Sequence, residues 1–259
     1  MRDASYVFAV ELDSGSERFA ALAELYDDAT KRHIAALGIG CGAACLEIGA
    51  GGGSIAQWLG NRVAPARVVA TDRDTAFLER LGLHNVEPLR HDIDVDPLPE
   101  NTFDLVHARL VVMHLTNASA AISRMARALK PAGWLIVEEF DAAGAAGIDA
   151  LGAVPKSNLA FRAVLERGGV DLALGRRLPL LFQDAGLGGI GGEMRSVLWR
   201  GRSAGARLMH ANYRGVRDAM LATGIVQPHE LADDIERLDD PAFLSATPTM
   251  WSVWGQRRD

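Results

Sequence analysis

Eight consecutive residues, Glu47-Ile48-Gly49-Ala50-Gly51-Gly52-Gly53-Ser54, combine an acid with a cluster of glycines. Without a Cβ in the way, such a turn between a strand and a helix lets backbone N–H groups and the helix N-terminus come close to a ligand. Read from Gly51, the run Gly51-x-Gly53-x-x-Ala56 fits the dinucleotide fingerprint G-x-G-x-x-G/A. Asp72 then stands about 20 residues on, where an acid can accept the hydroxyls of a ribose. Read from Glu47, the same residues spell acid-x-Gly-x-Gly-x-Gly. A second set could move protons or hold charge: His107, Arg109 and His114 in one stretch, and Glu138, Glu139 and Asp141 in another. A His just after a strand, as His114 is, can serve as a general base or merely cap and orient its loop. His107 lies within a strand and reads as a buried structural residue. Of Glu138 and Glu139, strand alternation turns one toward a substrate pocket and the other away.

These residues need elements to place them. Apolar positions from Glu17 to Leu37 recur at steps of three or four and predict an amphipathic helix ended by Gly38 and Gly40. Strands are expected at 43–49, 67–72, 86–90, 103–108 and 134–139, and helices at 54–59, 74–81 and 117–129. The turn Lys130-Pro131-Ala132-Gly133 should close the last of these helices. Strands alternating with helices imply a parallel sheet covered on both faces. Beyond a flexible joint at Ala142 to Gly147, helices are expected over 158–166, 178–184, 204–222 and 228–236, and strands at 196–200 and 250–254. With no internal repeat, one α/β domain with helical additions is the economical organisation: an N-terminal cap over 1–40, a core over 41–141, and residues 142–259 as the second half of the same domain.

The chain has 259 residues, 49% of them hydrophobic and 23% charged, so it can build a generous core. Its 27 Lys+Arg against 33 Asp+Glu leave a formal charge of −6, which argues against nucleic acid as a partner. The longest apolar runs, such as 110–113 and 134–137, fall far short of the ~20 residues that span a bilayer. Glu11, Asp13, Glu17 and Arg18 interrupt any leader-like segment, so a cytoplasmic location is the expectation. Two cysteines, Cys41 and Cys45, fit neither a disulfide scaffold nor a zinc site, and both are expected to be buried thiols. No metal is expected.

Read from Glu47, the chain resembles the class I S-adenosylmethionine-dependent methyltransferases. Leu46 to Ser54 looks like the family's first motif, Val69-Ala70-Thr71-Asp72 like its second strand, and His91-Asp92-Ile93 like its adenine loop. Phe103 to Arg109 followed by Met113-His114-Leu115 is similar to the fourth-strand region, and Ala128 to Trp134 to the turn before the fifth strand, with Pro131-Ala132-Gly133 where the family usually has Pro-Gly-Gly. Order and spacing agree over roughly residues 40 to 140. In appearance the chain is nearest to small-molecule methyltransferases of bacterial secondary metabolism and to the ubiquinone/menaquinone type.

The resemblance implies a Rossmann-like, doubly wound, mostly parallel seven-stranded sheet with the last strand antiparallel, an N-terminal helix and a helical lid insert. It implies S-adenosyl-L-methionine as cofactor and S-adenosyl-L-homocysteine as product. Asp72 would accept both ribose hydroxyls, Asp92 the adenine amino group while Ile93 packs on the ring, and Glu47 would sit near the methionine amino end, with Gly49, Gly51 and Gly53 forming the turn. Asp92 could instead belong to a solvated acidic loop. Arg109 would face the cofactor carboxylate or an acidic acceptor, or pair with a surface acid. His114 is the expected base. Tyr6, Tyr26 and His33 belong to a segment that in this family often closes over the cofactor, or else pack the helix. An insert carrying Phe161, Trp199, Met209, His210 and Tyr213 suggests a small, partly apolar or aromatic acceptor. A monomer or homodimer is expected. An NAD(P)-dependent oxidoreductase on the same glycine turn, or a non-catalytic cofactor-binding homologue, is the alternative.

Overall fold

In the computed structural model, residues 12–82, 84–142 and 155–258 are described. Tyr6 and the joint from Ala143 to Gly147 lie outside them. In chain order the elements are α1 (Leu12–Ala36), β1 (Cys45–Ile48), α2 (Ser54–Val63), β2 (Val68–Asp72), β3 (Val86–Arg90), β4 (Phe103–Arg109), α3 (Ala118–Ala128), β5 (Leu129–Asp141), α4 (Lys156–Arg167), α5 (Leu174–Asp184), β6 (Gly188–Arg195), β7 (Leu198–Arg200), α6 (Ala204–Gly215), α7 (Arg217–Leu221), α8 (Pro228–Arg237), β8 (Leu244–Ala246) and β9 (Thr249–Gln256). Short 3₁₀ turns lie at Leu78–Leu81 and Val112–His114. Among the described residues no helix is long and apolar enough to cross a membrane.

The chain divides into two compact units. The first comprises Asp27–Phe140, Leu174–Met194 and Trp251–Asp259. It contains nearly all of a seven-stranded, mostly parallel sheet with one antiparallel strand, ordered β3-β2-β1-β4-β5-β9-β6, the Rossmann-like arrangement expected from the motifs. Both faces of β1 are buried, as a central parallel strand flanked by helices requires. Register sets Glu47 opposite His107 and Arg109 opposite Glu138. By the two-residue alternation of strands, Cys45 and Glu47, Leu105, His107 and Arg109, and Ile136 and Glu138 share one face. Along that face Cys45, Leu105 and Ile136 join Ile34 of α1 in the apolar core. Toward the strands' carboxyl ends the same face turns polar.

The second unit comprises Met1–Tyr26, Asp141–Ala173 and Arg195–Met250. Phe161 of α4 meets Tyr213 of α6 edge to face with ring centroids 5.8 Å apart, and Trp199 meets Phe243 at 5.6 Å. Strands β7 and β8 pair antiparallel, Trp199 opposite Ser245. Helix α8 starts with Pro228 behind a capping box made by Gln227 and Glu230.

Several expectations are corrected. The helix expected over Asp74 to Leu81 is only the 3₁₀ turn from Leu78. Asp72 Oδ1 accepts from the Asp74 amide at 3.2 Å and Asp74 Oδ1 from that of Ala76 at 3.0 Å, so side chains take the N–H groups a helix start would use. Lys130 to Gly133 is not a separate turn: β5 already begins at Leu129, paired with Phe103, and the ladder then shifts register. Helix α5 begins at Leu174, earlier than the expected Leu178, and the single helix expected over 204–222 is divided into α6 and α7. Cys41 is exposed, and only Cys45 is buried.

Candidate active site

The glycine turn leaves β1 and enters α2. Gly49 has φ +64°, and a Cβ there would lie 2.3 Å from Val111 Cγ2. Gly53 has φ +77° and would collide with Leu81 at 2.7 Å. Any larger residue would meet both backbone strain and a clash. The amide of Gly51 donates to Asp72 Oδ2 at 2.8 Å, and those of Ala50 and Gly53 donate to Thr71 O and Ala50 O, each at 2.8 Å. These amides therefore shape the turn.

Asp72 ends β2, half-buried. Burial raises its pKa, and the N–H groups of Gly51, Asp74 and Arg73 partly offset that rise. In the following loop, Asp92 Oδ1 accepts from the Asp94 amide at 3.0 Å, and its Oδ2 lies 3.4 Å from Arg73 Nε. Ile93 is buried. Asp94 Oδ2 accepts from the amide of Thr116 at 3.2 Å, tying this acidic loop to the segment after β4. His91 is buried too, with Nε2 3.4 Å from Pro97 O.

On the polar end of the sheet face, Glu138 is enclosed by donors. Its Oε1 accepts from Ser252 Oγ at 2.6 Å and lies 3.3 Å from His33 Nδ1, while its Oε2 bonds Thr30 Oγ1 and lies 3.4 Å from His107 Nε2. Burial alone would raise its pKa, but His107 and His33 outweigh it and hold the carboxyl well below the usual range. His107 in turn places Nδ1 3.6 Å from Glu47 Oε1, an ion-pair distance beyond hydrogen-bond reach. Glu47 Oε2 is buried without a hydrogen-bond partner among the described residues.

Arg109 donates to Asp27 Oδ1 at 2.8 Å and to Thr30 Oγ1 at 3.0 Å. Asp27 is buried, so the partner is not the surface acid the sequence allowed for. Asp27 also accepts from Ser54 Oγ at 3.1 Å, at the end of the glycine turn, and lies 3.3 Å from Lys31. Sequence reading missed Asp27; its one signal is an acid on the helix face that also carries the buried residues Thr30 and Ile34.

His114 ends the 3₁₀ turn after β4, half-buried. That turn hangs on Glu139, whose Oε1 accepts from the amides of Val111 at 2.9 Å and Val112 at 2.6 Å. Burial pushes the Glu139 carboxyl up to about 8 despite these bonds. Glu138 and Glu139, neighbours in sequence, thus serve different partners, as strand alternation predicts.

In the second unit, His210 Nε2 lies 3.2 Å from Asp239 Oδ1 and Tyr213 is buried against Phe161. Both have structural partners there. Among the described residues, no group of three or more His, Cys, Asp or Glu could hold a metal ion.

A methyltransferase-domain family model matches residues 46–137, the stretch that carries the glycine turn, Asp72, Asp92, Arg109 and His114. The chain is 31% identical over 96 residues to methyltransferase str3 of Strobilurus tenacellus, covering 37% of this chain and 35% of that one. It is 30% identical over 112 residues to the ubiquinone/menaquinone biosynthesis C-methyltransferase UbiE of Hahella chejuensis, covering 40% and 45%. It thus spans less than half the length of either relative. Among solved structures, YcgJ of Bacillus subtilis is similar in fold, with a TM-score of 0.62 at 14% identity, over 90% of this chain and 100% of that one.

Proposed function

We propose, for a chain whose residues 46–137 form a class I S-adenosylmethionine-dependent methyltransferase domain, that the protein transfers a methyl group to a small acceptor. The observation that carries this reading is the buried Oε2 of Glu47, without a hydrogen-bond partner among the described residues, at the strand end entering the glycine turn. A buried carboxylate oxygen without a donor is costly, and a ligand ammonium group would satisfy it. The amino-acid end of S-adenosylmethionine has such a group.

Bound there, the cofactor would supply an electrophilic methyl on a sulfonium, whose leaving group is already good, so alignment and exclusion of water account for much of the catalysis. Glu47 would hold the amino end. Asp72, already fixed by Gly51, would accept the ribose hydroxyls, Asp92 the adenine amino group, and Ile93 would pack on the ring. Gly49, Gly51 and Gly53 would turn the backbone beside the ligand, with Val111 and Leu81 packed where Gly49 and Gly53 lack a Cβ. Arg109, anchored on Asp27 and Thr30, would offer its remaining N–H donors to the cofactor carboxylate. For a hydroxyl or activated-carbon acceptor, His114 would take the proton as a neutral imidazole; an amine arriving neutral needs no base. No step requires a metal. A small, partly apolar acceptor and a cytoplasmic monomer or homodimer complete the reading.

Calorimetry with S-adenosylhomocysteine and with NAD, in separate titrations, tests it. Binding of S-adenosylhomocysteine and no response to NAD is the expected result, and the reverse would replace methyl transfer by hydride transfer.

A further inference from the structure

Five titratable side chains of the sheet unit stand in a line: Glu47, His107, Glu138, His33 and Glu193. Successive separations are 3.6, 3.4, 3.3 and 3.5 Å. We propose that His107 is a positioning residue for Glu47: clamped by Glu138 through one ring nitrogen, it steadies Glu47 Oε1 with the other and leaves Oε2 to the ammonium group of the cofactor. The inference rests on the reading of Glu47 as part of the cofactor site.

Three observations support it. Glu47 and His107 are direct partners in the parallel register of β1 and β4, so their side chains share a face. His107 is wholly buried, which bars it from meeting an acceptor or solvent, so any role it has runs through its neighbours. The two carboxylates beside it differ in how they are satisfied. Glu138 has donors at both oxygens: Ser252 and His33 on Oε1, Thr30 and His107 on Oε2. A carboxylate has about four acceptor positions, so Glu138 is saturated and acts as a fixed post. Among the described residues, Glu47 has the His107 ring near Oε1 and no hydrogen-bond partner at Oε2.

Ionised carboxylates only accept, so a ring nitrogen facing one must carry hydrogen. His107 faces a carboxylate with each nitrogen, and only the doubly protonated imidazolium suits both. Burial alone would lower its pKa, but Glu138 and Glu47 outweigh burial and raise it to about 9. The other charged groups facing the cluster are Arg109, which favours ionised Glu138, and Glu193, paired with both His33 and Arg32.

Histidine-selective ¹⁵N spectroscopy of the wild-type protein tests the idea without altering the fold. His107 should carry protons on both nitrogens near pH 7.5. Its Nδ1 resonance should move on adding S-adenosylhomocysteine and stay in place on adding 5′-methylthioadenosine, the same nucleoside thioether without the amino-acid end. A neutral ring, or equal shifts with both compounds, would overturn the proposal. In parallel, His107→Gln and Glu47→Gln should each weaken S-adenosylhomocysteine about tenfold, leave 5′-methylthioadenosine unchanged, and show no further loss when combined. Full additivity, or unaltered S-adenosylhomocysteine affinity in a folded His107→Gln, would remove the positioning role alone. A wild-type protein that binds neither compound would remove the cofactor reading, and the role of His107 with it. Should His107→Gln fail to fold, the wild-type spectra still decide.

Discussion

Glu138 and Glu139 are adjacent on one strand, both buried, and sit in opposite charge regimes. The Glu138 side of the sheet surrounds its carboxylate with two imidazoles and two hydroxyls. The Glu139 side offers backbone N–H groups to one oxygen and, among the described residues, no hydrogen-bond partner to the other. Burial penalises both ions alike, so the sign of the shift is set by whether charged donors are within reach. Polar burial at this sheet edge therefore has two uses: an ionised framework under α1, and a carboxyl poised to be neutral that shapes the turn leading to His114.

The largest expected effect falls on the turn Glu139 supports. If His114 is the base, His114→Ala lowers kcat by about 10²–10⁴-fold with little change in cofactor affinity, as single-turnover rates at saturating cofactor would register. Wild-type rates would make the turn a scaffold only. Next comes Glu138→Gln, which strips the shared acid from a buried ionic cluster and should cost about 3–5 kcal/mol in urea unfolding at pH 7. Because Glu138 is depressed, the stability it provides is present above the ordinary carboxylate range and is lost as pH falls through its folded-state value. A cost below about 1 kcal/mol would mean the cluster is not ionised as its geometry requires.

Asp72 is intermediate, half-buried and bound by backbone amides as Glu139 is. Asp72→Ala should weaken S-adenosylmethionine by about 1–3 kcal/mol in calorimetry and leave a folded protein. An unchanged dissociation constant would take Asp72 out of the site.

Glu139→Gln should do least at pH 7, within about 1 kcal/mol, because a neutral amide can present the same carbonyl to Val111 and Val112. Its pH dependence is the sharper measure. With a folded-state pKa of about 8, wild-type Glu139 binds more protons folded than unfolded between about pH 4.5 and 8. Stability therefore declines as pH rises through that window, and the Gln variant should lack the decline. Parallel pH profiles for the two proteins would place Glu139 in the same regime as Glu138.

What the sequence disclosed and what it concealed divide along physical lines. β1, β2 and β4 are short, largely apolar runs, and the glycine turn after β1 and the acid ending β2 follow from the strand-turn-helix order, so these are readable; the bond from the Gly51 amide to Asp72 is not. β6 was not, because Gly191 and Gly192 weaken any strand signal. The structure supplies their reason: a Cβ on Gly191 would lie 2.6 Å from Trp254 and one on Gly192 2.9 Å from Ser252 O. The helix after Asp72 was misread because Asx side chains compete with helix hydrogen bonds, which a count of apolar spacing ignores. Glu47, His107, Glu138 and Arg109 were each singled out. That three of them form one cluster, and that Asp27 and Thr30 receive Arg109, depends on register and on the seating of α1, which local pattern does not encode.

The two cysteines give the sheet unit a probe of its own opening. Cys41 is exposed, while burial pushes the Cys45 thiol up to about 12 at the head of β1, two residues before Glu47. A maleimide should attach once to the native protein and twice in denaturant. Under native conditions, the slow second attachment clocks the excursions that bare β1. Protection of that thiol by S-adenosylhomocysteine would report how firmly an occupied site fastens the strand beneath it.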